Sequence, residues 1–522
     1  MNEQQEARKW WTLGAVCVGI FMLLLDITIV NVALPDIQKS LGSSFSDLQW
    51  VVDAYSLTLA ALLLTAGSLA DLFGRRRVFA IGLALFTLAS LACGLSTSPL
   101  MLNVFRALQG IGGAAMFATS LALLAQAFHG RERGTAFGIF GATIGAAVAV
   151  GPLIGGALTD GIGWEWIFFV NIPIGIAAIF VTLTRVAESR DPRGVAIDWP
   201  GLVSFSAALF MLVFALVRGN AEGWGSALIV TLLVGSVVLL VAFVLIERSR
   251  ERPMLDLSLF RKPTFVGASA VAFTMSASMF AMFLYLTLYI QNALGYKPFD
   301  AGLRFLPITL LSFFVAPVAG RLAVRIPVRW LLGTGLLLIA TGLLLMSRVD
   351  ASSGWTVLLP GFLVAGFGIG TVNAPLTQVA VGVVSPERSG MASGINNTFR
   401  QVGIATGIAA LGAIFQHEVG SRTLHALSSS GAGRAFLSHL GGHISGESLS
   451  NGSGARLASK LHAGPHEVVT HAFRTGFTGA LSEILVIGAA VALVGSALGY
   501  LLVRQRDMVA SGAQAAEAPA AA

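Results

Sequence analysis

The chain has 522 residues, is 55% hydrophobic and only 11% charged, and has a mean hydropathy of +0.80. A soluble domain carries roughly 25% charged residues, so this chain has too few to cover a water-soluble surface of its size. Its formal net charge of +7 would suggest nucleic acid in a soluble protein, but apolar runs of about 20 residues, long enough to span a bilayer, recur from Thr12 to Val503 and make it a membrane protein.

Fourteen spanning helices are predicted, with approximate cores at 12–34, 50–70, 78–96, 100–125, 135–157, 166–184, 200–218, 227–246, 264–291, 301–320, 330–348, 356–383, 391–415 and 477–503. The first run reads as a retained span rather than a cleavable signal, because no A-x-A site separates it from the runs that follow. Cys17 and Cys93 both sit in apolar runs, which excludes a disulfide framework and a thiolate metal site.

Helix 1 carries Asp26 deep in its core, where an ionisable group costs about 2.5–3.5 kcal/mol or more unless it is paired or faces water. Thr28 and Asn31 follow as polar neighbours. Helix 2 carries Asp53 a few residues from one end, where an acid can reach interfacial water or meet a cationic substrate. The turn after it reads Gly67-Ser-Leu-Ala-Asp71-Leu-Phe-Gly74-Arg75-Arg76. Asp71 and Arg75 there are candidates for a charge lock with the start of a neighbouring helix, although the arginine cluster also sets topology.

Helix 4 carries Arg106 at a depth similar to Asp26, with Gln109 close by. A buried arginine stays charged whereas an aspartate can titrate. Two readings are open: a proton switch in which Asp26 is paired or protonated and released, and a fixed ion pair that glues helices 1 and 4. Helix 5 contains Gly138, Gly141, Gly145, Gly151-Pro152 and Gly155-Gly156, a smooth surface for close helix packing that can also bend. Helices 10 and 12 contain no acid, and helix 13 carries Asn396, Asn397, Arg400 and Gln401, a polar stripe expected to line a cavity.

With the N-terminus placed in the cytoplasm, tails and cytoplasmic loops hold 21 Lys and Arg residues against five in the short outer loops, which puts both termini inside. All nine tryptophans fall near predicted helix ends, as an aromatic belt requires. The chain also repeats itself. Gly320-Arg-Leu-Ala-Val324-Arg-Ile-Pro327-Val-Arg329 is a degraded echo of the 67–76 turn, and Glu387-Arg388-Ser389-Gly390 echoes Glu132-Arg133-Gly134. Both offsets are eight helices, so the expected domains are a six-helix bundle over 1–190, two inserted helices with linkers over 191–262, and a six-helix bundle over 263–503. Residues 416–475, with seven of the eight histidines, are expected as a long outer loop, and 504–522 as a disordered tail. His439/His443 and His462/His466 have i, i+4 spacing, but their low-complexity setting favours a solvated loop over a metal site.

Several of these stretches resemble the major facilitator superfamily, specifically its fourteen-helix drug:proton antiporter branch. Leu25-Asp26-Ile-Thr28-Ile-Val-Asn31-Val-Ala-Leu-Pro35 is similar to that branch's first-helix signature, Gly67 to Arg77 to the superfamily's loop motif, Asn103-Val-Phe-Arg106-Ala-Leu-Gln109-Gly110 to its helix 4 motif, and Gly151-Pro152-Leu-Ile-Gly155-Gly156 to its antiporter motif. The likeness runs from Leu25 to about Val503. It departs at Ala147, where the family has Gly, and at Glu165, where it usually has Arg.

The resemblance implies an all-α polytopic fold of two six-helix halves with two helices inserted, and a proton-coupled exporter of lipophilic drugs or organic cations. Asp26 and Arg106 would couple to protons. Asp53, Thr28, Asn31, Gln109, Asn396, Asn397 and Arg400 would meet substrate, and Asp71, Gly74, Arg75, Gly151 and Pro152 would gate. The expected partners are a small lipophilic substrate, the proton and the bilayer of a bacterial inner membrane, in a functional monomer with no cofactor, metal or nucleic acid. The same fold would also serve an endogenous antibiotic, lipid or siderophore. A membrane-embedded enzyme is disfavoured: no predicted span holds a histidine, no nucleophile–base cluster is visible, and no P-loop occurs.

Overall fold

The computed structural model describes residues 3–43, 45–128, 130–189, 198–250, 255–384, 389–429, 431, 433–434 and 463–508. Its long helices are α1 (Glu3–Leu41), α2 (Phe45–Phe73), α3 (Arg75–Gly94), α4 (Pro99–Ala127), α5 (Gly130–Gly161), α6 (Trp166–Arg185), α7 (Trp199–Glu222), α8 (Ala227–Ser249), α9 (Pro263–Gln291), α10 (Pro298–Leu322), α11 (Val328–Met346), α12 (Leu359–Gly382), α13 (Ser389–Ser429) and α14 (Ala463–Leu502). Thirteen of them are long and apolar enough to cross a membrane, and the glycine-rich α5 packs among them as the fourteenth. No strand occurs among the described residues. In hydrocarbon every backbone N–H and C=O must be satisfied within the element, which is what the helices achieve.

Local chemistry sets several helix starts. Ser98 accepts from the Met101 N–H ahead of Pro99, and Asp198 from the Gly201 N–H ahead of Pro200. Side-chain oxygens there satisfy donors that the first turn leaves orphaned. Gly74 joins α2 to α3 at φ +109°, and a Cβ there would press on the Glu188 carboxylate. Only glycine meets both demands.

The first six helices pack as one group and the last six as another. They meet along two seams, α5 against α10 and α2 against α13. Gly134, Gly138, Gly141 and Gly145 occupy one face of α5. Cβ atoms there would meet the Gly320 carbonyl, the Pro317 backbone, Asn373 with Ala374, and Ser312 respectively. Small residues let the backbones approach this closely. The glycine run expected to act as one surface therefore divides: Gly151 turns away from the seam and packs on Thr28 of α1. α7 lies beside the second seam against α2 and α13, and α8 packs chiefly on α7. Only 17% of the apolar window of α8 is buried in protein, so Val234, Val237, Val241 and Leu245 face outward to lipid.

Two features depart from the sequence expectation. The expected outer loop is largely helical at its ends, α13 running to Ser429 and α14 starting at Ala463. Val419, Thr423 and Leu427 are fully buried there, Phe415 packs edge-on to Phe477, and Arg422 bridges Glu418 and Glu483. A buried stripe at helical spacing therefore continues beyond the expected span end at 415, which hydropathy averaged over a span does not register. α9 also contains a π-helical turn at Ser276–Phe280 and runs at its end into another, Tyr289–Ala293, for which the sequence has no motif. The first lies where Gly407 of α13 comes close to the Ala277 carbonyl. The His439/His443 and His462/His466 pairs and the terminal tail after Met508 lie outside the described residues and side chains.

A Cβ on Gly151 would collide with the Thr28 hydroxyl. Gly151→Leu should lower stability by about 1–3 kcal/mol, the usual cost of overpacking, seen as a lower unfolding temperature in detergent. Gly151→Ala should show a smaller loss from the same contact, and adding Thr28→Gly should recover most of that loss, whereas an undiminished loss would mean the contact is not the cause.

Candidate functional site

The strongest polar constellation lies inside the first group of helices. Asp26 of α1 is 0% exposed and Arg106 of α4 is 1% exposed, and the Arg106 Nη1 donates to Asp26 Oδ2. Gln109 Nε2 donates to Asp26 Oδ1 at 2.8 Å, and Asn171 Nδ2 of α6 reaches the same oxygen at 3.4 Å. Arg106 further donates to Gln109 Oε1 at 2.7 Å and from Nε to the Val51 carbonyl at 2.9 Å. Its guanidinium lies over the Tyr55 ring, 4.3 Å from the centroid. Ser90 of α3 receives Asn171 Nδ2 at 3.0 Å and donates to the Phe168 carbonyl at 3.0 Å.

Five helices thus converge on one buried charge pair. Such a pair survives in low dielectric only when further hydrogen bonds satisfy both ions, and here Gln109 bonds both, Asn171 reaches the acid and the Val51 carbonyl accepts from the arginine. Of the polar groups that the sequence places beside Asp26 and Arg106, Gln109 joins the network. Thr28 instead donates to the Leu24 and Leu25 carbonyls of its own helix. Asn31 and Pro152 have side chains outside those described. Ser90, Tyr55 and Asn171 belong to the site without having been singled out. Asn171 follows a recognisable helix entry, but nothing local marks Ser90 or Tyr55.

A second cluster sits at the end of the bundle that carries the α2–α3 turn. Asp71 Oδ1 accepts from Arg75 Nε at 2.9 Å, and Asp71 Oδ2 accepts from the Met391 N–H at 3.0 Å. The carboxylate of one half therefore caps the first turn of α13 in the other, where helix dipole and free N–H groups favour an anion. Lys9 Nζ bonds Glu132 Oε2 at 2.7 Å nearby, tying α1 to α5.

The stripe on α13 faces the first half. Asn397 Nδ2 approaches the Phe117 carbonyl of α4 at 3.4 Å. Arg400, 5% exposed, donates from Nη2 to Asn373 Oδ1 of α12 at 2.9 Å, while its Nε has no partner. Asn396 is 2% exposed with neither amide atom partnered. Asp53 lies elsewhere, in a narrow crevice with Trp50, Leu57, Phe214, Val217 and Arg218. Its surroundings thus come from the inserted α7 rather than from α13, a placement that its position in the sequence does not reveal. Among the described residues no group of three or more His, Cys, Asp or Glu is placed to hold a metal.

The sequence profile described as Major Facilitator Superfamily matches residues 16–408. The chain is 41% identical to the multidrug resistance protein Stp of Mycobacterium tuberculosis over 77% of this chain and 75% of that protein. It is 37% identical to the tetracenomycin C resistance and export protein of Streptomyces glaucescens, over 79% and 77% of the two chains. It is 38% identical to the puromycin resistance protein pur8 of Streptomyces alboniger, over 78% and 82%. The fold is similar to that of the human organic anion transporter MFSD10, with TM-score 0.62 at 15% identity over 94% of this chain and 99% of that one. The proton:xylose symporter XylE gives 0.61 at 13% identity, over 96% and 97%.

Arg106→Ala strands a buried carboxylate and should destabilise the protein by about 3–5 kcal/mol. The double variant Asp26→Asn/Arg106→Gln should cost clearly less than the sum of its single changes, measured by chemical unfolding as a double-mutant cycle. Additive costs would show that the two side chains do not depend on each other.

Proposed function

The chain belongs to the Major Facilitator Superfamily, and from that membership we propose that it is a proton-coupled antiporter exporting lipophilic drugs, organic cations among them, by alternating access. The observation that carries the reading is the sealed Asp26–Arg106 pair. A titratable acid that deep is tolerable only while paired, so a change in its protonation state changes what holds the surrounding helices on Arg106. The names of the relatives support the drug side: multidrug resistance in one, resistance to or export of a single antibiotic in others.

In this scheme the two groups of helices rock about a site between them, as repeats in secondary transporters do. The Asp71 cap on α13 and the glycine seam of α5 hold one end shut. Protonation of Asp26 from outside, and release of that proton to the cytoplasm, drives the return. A proton moving inward gains about 2.3 kcal/mol per 100 mV. The setting is a bacterial cytoplasmic membrane with both termini inside, in a protein active as a monomer. The antibiotic-specific names favour a second reading of the cargo, in which one endogenous product is exported by the same cycle.

Asp26→Asn should leave the protein folded in the membrane and abolish export driven by an imposed pH gradient in inverted vesicles. Undiminished gradient-driven export by that variant would remove Asp26 from the proton cycle.

Asp53 is the membrane acid left free of that cycle, so Asp53→Asn should slow export of a monovalent cation such as ethidium more than that of a neutral aromatic dye. Equal slowing of both would assign Asp53 to coupling or to the fold.

A further inference from the structure

Among the described residues, Arg106 and Arg400 are buried arginines set inside their spans rather than at a span end, and the protein treats them differently. Arg106 is matched by Asp26. Arg400 is nearly as buried, yet among the described residues no carboxylate pairs with it, and its one side-chain bond goes to a neutral amide oxygen, Asn373 Oδ1 at 2.9 Å. A guanidinium carries five N–H donors in a planar fork, and here the Nε donor is buried and unpartnered. One helical turn earlier, Asn396 is 2% exposed and both its amide atoms are unpartnered. Residues four apart share a helix face, so the two side chains present unmet donors to the same place.

That place lies between the halves. Asn373 stands opposite Gly141 of α5, its Cβ 3.5 Å from where a Cβ on that glycine would fall, and Asn397 reaches the backbone of α4. Uncompensated buried charge and orphaned buried amides are each costly in low dielectric, and such groups in a native structure call for a function. What an arginine fork with an adjacent amide donor matches is a planar oxyanion, held by two parallel charge-assisted hydrogen bonds.

We propose that Arg400, Asn396 and Asn373 form the oxyanion-recognising end of the export site, taking the carboxylate, phenolate or enolate of a lipophilic aromatic substrate. The assignment rests on the export reading and names a substrate class for the site between the halves. Asp53 sits apart against α7, so a cationic group and an anionic group on a substrate address different helices.

The test is binding of 2-naphthoate and of its uncharged counterpart 2-naphthamide to the full-length protein in lipid nanodiscs, by calorimetry. Arg400→Gln should lower the ratio of naphthoate to naphthamide affinity about tenfold or more, the scale of a lost hydrogen bond to a charged group. Arg400→Lys, which keeps the charge and loses the fork, should fall between. Asn396→Asp keeps the arginine and supplies it with an internal counterion, so it should lower the same ratio as strongly, and it decides the matter if Arg400→Gln does not fold. An unchanged ratio in the folded variants, or a wild-type protein that binds neither probe, overturns the proposal. Uptake of N-phenyl-1-naphthylamine by wild-type inverted vesicles under a pH gradient is read separately. Its absence would count against the export reading, while the affinity ratio still decides whether this is an oxyanion site.

Discussion

The structure is organised by the cost of placing a charge in hydrocarbon. Asp26 and Arg106 are tolerable only together and only when their remaining hydrogen-bonding capacity is met. Meeting it recruits α2, α3 and α6 as well as α1 and α4. The pair therefore fixes the mutual position of five helices in the first half far more tightly than apolar packing would, since lipid tails compete with leucine side chains on equal terms.

Where the halves meet, the opposite strategy applies. The seam between α5 and α10 is built from Gly134, Gly138 and Gly320 with Pro317, surfaces almost without side chains. Such a contact is close but has little interdigitation to undo. α5 joins the two strategies, because its glycine face borders the second half while Gly151 docks on Thr28, two residues from Asp26. A contiguous packed route thus runs from the ion pair to the seam through one helix.

Much of this was legible in the sequence for physical reasons. Hydropathy over about 20 residues reports most spans directly, and only the glycine-rich α5 falls outside the thirteen found that way among the described residues. A lone aspartate and a lone arginine in apolar runs at matching depth announce each other, because neither is affordable alone. What stayed hidden depended on register between distant helices. Ser90 and Tyr55 are unremarkable residues until the network closes on them. Thr28 lies in a polar stretch of α1, yet it serves a glycine rather than the acid. That the inserted α7 supplies the neighbours of Asp53 depends on register between distant helices, and the distal extensions of α13 and α14 escape a hydropathy window because their apolar stripe is narrow. Nor can a sequence show that Arg400 lacks a counterion, since that is a statement about every neighbouring helix.

The length of α13 has a mechanical consequence. As 41 residues rising about 1.5 Å each, it is a rod of roughly 60 Å, about twice the thickness of the hydrocarbon core. Its first turn is pinned by Asp71, its first third carries the amides and the arginine, and its far end packs on α14, braced there by Arg422 and Glu483. A single uninterrupted helix thus ties the Asp71 cap at one end of the bundle to the Arg422 brace at the other, so the two ends cannot rearrange independently along this element.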